Sequence, residues 1–107
     1  MPQSSQNVPD AREVDRVEGL MTADGSADAF LSLCIPGSTW LAKIRTASVS
    51  ATVKARRPLG TFDEHICTCV TLKLDLPVPV EPGLRFQIIA EDDPDVTASG
   101  VVRPWGG

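Results

Sequence analysis

The stretch from Val70 to Val102, VTLKLDLPVPVEPGLRFQIIAEDDPDVTASGVV, leaves this chain few architectures to choose from. Val70, Leu72, Leu74 and Leu76 alternate with polar residues, and Ile66 lies in phase with them. That is the period-two pattern of a half-buried strand. Pro82-Gly83 then marks a tight turn, because proline pre-sets φ near −65° and glycine accepts the positive φ that a type II turn needs next. Phe86, Ile88 and Ile89 carry a second strand, and Thr97 to Val102 a third.

Upstream the pattern continues. Ala29, Leu31, Leu33 and Ile35 share one face of a strand expected over Asp28 to Ile35, ended by Pro36-Gly37. Thr39 to Val53 fits a helical face through Trp40, Leu41, Ile44, Ser48 and Ala51, but its β-branched Thr46, Val49, Thr52 and Val53 favour a strand. The apolar phase in it is even up to Ile44 and odd from Ala47, which a bulge or bend explains. Arg56 to Gly60 reads as a turn and Glu64 to Leu76 as a long strand. The prolines of Leu76 to Pro82 cannot donate ladder hydrogen bonds and place that segment on an edge. Five or six strands with short turns and no helix in the folded part predict an all-β fold over residues 28–107, a small closed barrel or a sandwich.

Residues 1–27 are expected to stand apart as a flexible, partly helical N-terminal segment. Met1 to Pro9 is rich in Ser, Gln and Pro. Asp10, with Glu13 three residues on, has capping-box spacing, and Val14, Val17 and Met21 then share a helix face. Such a helix is too short to stand alone, so it docks on the domain or folds against a partner. Thr22 to Ala27 reads as a linker.

A chain of 107 residues makes one domain. With 42% hydrophobic but only 5% aromatic residues its core is aliphatic. No run approaches the roughly 18 apolar residues of a membrane helix. Met1 to Asp10 shows no secretory signal, and three cysteines are an odd count that suits reduced thiols. A cytoplasmic setting with no membrane partner is the expectation.

Two segments resemble the third, C-terminal domain of translation elongation factor Tu, a six-stranded barrel. Arg45-Thr46-Ala47-Ser48-Val49-Ser50-Ala51-Thr52-Val53 is similar to that domain's R-T-x-x-V-T-G-T-I strand. Leu76-Pro77, then Gly83-Leu84-Arg85-Phe86, then Ala98-Ser99-Gly100-Val101-Val102 is similar to its hydrophobic-Pro turn, G-L-R-F and closing G-A-G-V-V. The resemblance spans about residues 28–103 and implies a free-standing copy of the barrel. Departures limit what it implies for activity. A G-x-x-x-x-G-K-[ST] nucleotide loop is missing, so GTP hydrolysis is not expected. The family's basic R-E-G-G-R-T hairpin, which helps hold aminoacyl-tRNA, is replaced by Ala90 to Thr97 with Glu91, Asp92, Asp93 and Asp95. Acids there repel a phosphate backbone, leaving Arg45 as the basic tRNA-facing match.

Charge is segregated along the chain. Residues 1–39 hold six acids against two bases, and residues 61–107 eight against three. Between them Lys43, Arg45, Lys54, Arg56 and Arg57 form a block without an acid. That block either balances the chain's own acids or meets an acidic or phosphate-bearing partner. It is the candidate contact surface, for a protein first and for RNA second. His65, Cys67 and Cys69 share the outer face of their strand, a candidate site for zinc or another soft metal with Cys34 as the candidate fourth ligand. Residues two apart on a strand lie ~6.7 Å apart at Cα, a poor match to tetrahedral ligand pairs, so plain strand cysteines are the simpler reading and no cofactor is expected. A redox pair is the other variant. Asp92, Asp93 and Asp95 lack calcium-loop spacing. The missing nucleophile signature leaves a non-catalytic binding module as the expected function. Trp105 is expected either to pin the C-terminus or, with Trp40 and Phe62, to offer an aromatic contact beside Arg56-Arg57.

Overall fold

A computed structural model of the protein describes residues 12–62 and 65–103. They form β1 (Arg12–Ala23), α1 (Ala27–Leu33), β2 (Thr39–Ile44), β3 (Ala47–Phe62), β4 (His65–Val80), β5 (Arg85–Ala90) and β6 (Thr97–Val102). The strands close a barrel in the order β1-β4-β3-β2-β5-β6, with β6 returning to β1 and every neighbouring pair antiparallel. Of the barrel and the sandwich that the alternation allows, the chain forms the barrel, closed, antiparallel and with the six strands the resemblance implies.

Alternation fills the barrel. Phe86, Ile88 and Ala90 point inward from β5 while Arg85, Gln87 and Ile89 point out. Leu72 and Leu74 of β4, Val53 of β3, Trp40 and Ala42 of β2 and Met21 of β1 are all fully buried. Each large aliphatic side chain so buried contributes about 1.5–3 kcal/mol. The turn at Pro82-Gly83 is type II as expected, with Gly83 at φ 85° and Leu84 N–H donating to Glu81 O at 3.1 Å. Past Leu74, residues 78–80 of β4 pair with β1 and, among the described residues, with no strand on their other side, an edge position that suits Pro79.

Four local expectations are corrected. The helix expected from Asp10 is, over its described part, the strand β1, so the segment assigned to a separate N-terminal region supplies a barrel stave. Asp10 itself lies outside the described residues. Val17 and Met21 fit either period because the inward position between them is Gly19, and a Cβ there would lie 2.6 Å from Phe86 Cζ. The glycine that admits the ring also hides the alternation.

The strand expected over Asp28 to Ile35 is α1. Its N-cap, Ser26, accepts a hydrogen bond from Ala29 N–H at 3.2 Å. The buried residues are Phe30 and Cys34, one helical turn apart. Phe30 meets Trp40 edge-on, with ring centroids 5.8 Å apart, so α1 covers one end of the barrel.

The phase slip between Ile44 and Ala47 is a two-residue hairpin turn, in which Ile44 pairs with Ala47 and Arg45 takes φ 56°. The turn expected at Arg56 to Gly60 lies within β3, which passes through two irregularities, at Val53/Ala55 and Pro58/Gly60. β2 accompanies β3 only as far as Thr52, so beyond it β3 and β4 run on as a two-stranded arm flanked by β1 up to Cys67.

Candidate binding surface

The barrel divides the basic block among separate places. Lys43 leaves β2 between buried Ala42 and Ile44 and so points outward. Its neighbour across β5 is Gln87, and Arg85, two residues from Gln87 on the same face, is its diagonal neighbour. Such diagonal Cα pairs are ~7–8 Å apart, within reach of long side chains. Arg45, turned outward by its left-handed backbone, completes a basic rim. Lys43, Arg45 and Arg85 border an open cleft of about 590 Å3 with Thr22, Gln87 and Ser99 along it.

Two carboxylates bound this cleft without lining it. Glu81 pairs with Arg45, whose Nε also lies 3.4 Å from Pro79 O. At the other end Asp24 Oδ2 accepts from Thr97 Oγ1 at 2.6 Å, Ser99 Oγ at 3.1 Å and Gln87 Nε2 at 3.2 Å. Burial raises the Asp24 carboxyl, but the three hydrogen bonds outweigh it and hold the group below its ordinary value.

Arg56 is engaged elsewhere. Its strand partner is the inward-facing Val70, and its Nη1 donates to Leu31 O and, at 3.1 Å, to Cys34 O. These are carbonyls at the end of α1 that helix geometry leaves without partners. Arg57 points to the opposite, outer side, across from Cys69, and with Glu18 and Thr71 borders a second hollow of about 310 Å3. Lys54 is exposed at the first irregularity of β3. Among the described residues Lys43, Lys54 and Arg57 make no ion pair, whereas Lys73 meets Asp15 at 2.7 Å and Arg103 meets Glu18 at 3.2 Å. Of the five residues singled out by sequence, Lys43 and Arg45 share the first cleft, Arg56 and Arg57 both border the second hollow, and Lys54 stands apart. Arg85 was missed, because only the β2–β5 register reveals that it joins Lys43 and Arg45.

The thiols are not assembled into a centre. Cys67 and Cys69 lie on the outer face, opposite Thr22 and Leu20 of β1. Cys34 closes α1 inside the barrel mouth, on the other side of the wall. His65 is exposed on the arm, and Ile66, assigned to the core by its phase, is 41% exposed because the arm outruns the barrel interior. Among the described residues no three His, Cys, Asp or Glu side chains converge on a point that would hold a metal ion. Burial pushes the Cys34 thiol up to about 11, against the pull of the Arg56 charge, and burial with the neighbouring Cys69 also raises Cys67. Such groups are thiols at neutral pH, not nucleophilic thiolates.

Asp93 spends one carboxylate oxygen on Asp95 N–H at 3.2 Å, within a turn closed by Val96 N–H to Asp93 O. Trp40 is fully buried, its Nε1 donating to Ser38 Oγ at 3.0 Å, and so offers no contact surface. Trp105 and the side chain of Phe62 lie outside what the structure describes. Among the described residues no helix is long and apolar enough to cross a membrane. Comparison with models of protein families, with curated proteins and with solved structures finds no match to this chain.

Proposed function

We propose that this chain is a binding module without chemistry of its own, and that its partner is a protein met on the basic outer surface of the barrel. The observation that carries this reading is the convergence of Lys43, Arg45 and Arg85 on one open cleft, from two strands and a turn distant in sequence. A relationship to the third barrel of elongation factor Tu belongs to the same proposal, as does a cytoplasmic setting, which suits three free cysteines. RNA is the less favoured partner. The exposed acids Glu91, Asp92, Asp93 and Asp95 stand at the far end of the β5–β6 hairpin, where a nucleic acid spanning the barrel would meet them.

The test is capture from lysate at low and moderate salt, with and without nuclease, by the wild type, Lys43→Glu/Arg85→Glu and, as a charge control away from the cleft, Arg57→Glu. A protein retained after nuclease, lost in Lys43→Glu/Arg85→Glu and kept in Arg57→Glu is the expected result. Recovery of RNA that falls away as salt rises would overturn the choice of partner.

A further inference from the structure

The geometry points to the cleft between β2, β5 and β6 as a docking site for an acidic, extended segment of a partner protein, a specification that rests on the binding-module reading. Three features select that occupant. The rim carries Lys43, Arg45 and Arg85, and among the described residues no carboxylate lines the cleft. Arg85 and Lys43 are diagonal neighbours, so their charged ends offer two anchoring points to carboxylates spaced along an extended peptide. Between them lie acceptors for peptide N–H groups, the Gln87 amide oxygen and the Ser99 hydroxyl oxygen, while both side chains donate to Asp24.

Glu81 holds Arg45 in the free protein and so acts as the cleft's resident anion. An arriving carboxylate competes with it, and Lys43, without an ion pair among the described residues, is free to respond. Glu91 stands at the other end of β5, about 20 Å away by strand rise, and provides a control carrying the same charge change.

The experiment is fluorescence anisotropy of a labelled hexaglutamate peptide at about 0.15 M salt, where charges beyond ~8 Å are largely screened. Circular dichroism confirms the fold of each variant. Lys43→Ala/Arg85→Ala is expected to weaken binding about tenfold, and Glu81→Gln to tighten it about threefold, as suits the loss or gain of partly exposed charge contacts. Glu91→Gln, with the same change in net charge, is expected to leave binding unaltered. Equal binding by wild type and Lys43→Ala/Arg85→Ala overturns the site. So do equal shifts in Glu81→Gln and Glu91→Gln, which mean bulk charge alone. Tighter binding of hexauridylate through the same residues overturns the occupant. If a protein is captured from lysate by the wild type and by Lys43→Ala/Arg85→Ala alike, the module reading survives and the cleft assignment falls. If the peptide needs the cleft but no protein is captured, the cleft stands and the module reading falls.

Discussion

Gly100 shows how tightly single residues are held at the β1–β6 seam. A Cβ added there would lie 2.1 Å from Leu20 O and 2.6 Å from Met21 Sδ. The first is backbone and cannot step aside, so Gly100→Ala is expected to destabilise the barrel by about 1–3 kcal/mol. Gly19→Ala meets only the tip of the Phe86 ring and the flexible Met21 thioether, and is expected to cost less. Urea unfolding of the two variants checks this, and a larger loss for Gly19→Ala would contradict it. Asp24 gives a second residue-scale prediction. Its folded pKa lies below the ordinary 3.8, so the stability it contributes is present above that value and lost as pH falls through the folded pKa. Asp24→Asn should be less stable than wild type at pH 6, with the difference shrinking toward pH 2 in melting experiments. Both positions were opaque in the sequence. A glycine says nothing of what presses on it, and Asp24 gains its role from Thr97 and Ser99 on a strand at the other end of the chain.

At the scale of elements, α1 depends on β3 through one side chain. Arg56 satisfies its terminal carbonyls, and Phe30 and Cys34 seat it on the barrel. Arg56→Ala is expected to cost about 0.5–1.5 kcal/mol and to speed hydrogen exchange in residues 27–34 while β4 and β5 stay protected. Uniformly faster exchange would mean that Arg56 supports the barrel at large. Thiol labelling at pH 8 reads the same seat, since Cys34 should react with a disulfide reagent only on unfolding and Cys67 earlier. The elements best written in the chain were β4, β5 and β6, where Val70, Leu72 and Leu74 keep the alternation and Pro82-Gly83 names its turn, although Ile66 and Leu76, in phase with them, are exposed. α1 was misread because Ala29, Leu31 and Leu33 mimic a strand although the helix buries Phe30 and Cys34. The β2–β3 hairpin was misread because Arg45-Thr46 turns without the usual Asn-Gly or Asp-Gly. The basic cleft was half legible: Lys43 and Arg45 stand close in sequence, whereas Arg85 joins them only through pairing.

For the whole molecule, β1 is the strand that turns a curved sheet into a closed wall. It pairs with β4 from Arg12↔Val80 to Thr22↔Cys67 and with β6 from Gly19↔Val102 to Ala23↔Ala98. Removing residues 1–23 leaves both those edges bare and empties the core positions of Val17 and Met21. The shortened chain is expected to lose cooperative thermal unfolding and to aggregate. A sharp transition within about 4–8 °C of the wild type, the shift of roughly 1 kcal/mol in a domain this size, would show that the barrel tolerates an open seam. The placement of β1 also governs when the protein can come into being. The first of the barrel's strands to leave the ribosome is flanked in the finished fold by β4 and by β6, the last of the barrel's strands to emerge. Gly19 waits for Val70 and then for Val102, long-range closures that slow folding relative to a chain of local hairpins. Vectorial synthesis therefore cannot complete this barrel by stages. A nascent chain stalled before Thr97 is a ribbon with two raw edges, a client for chaperones and proteases rather than a smaller protein.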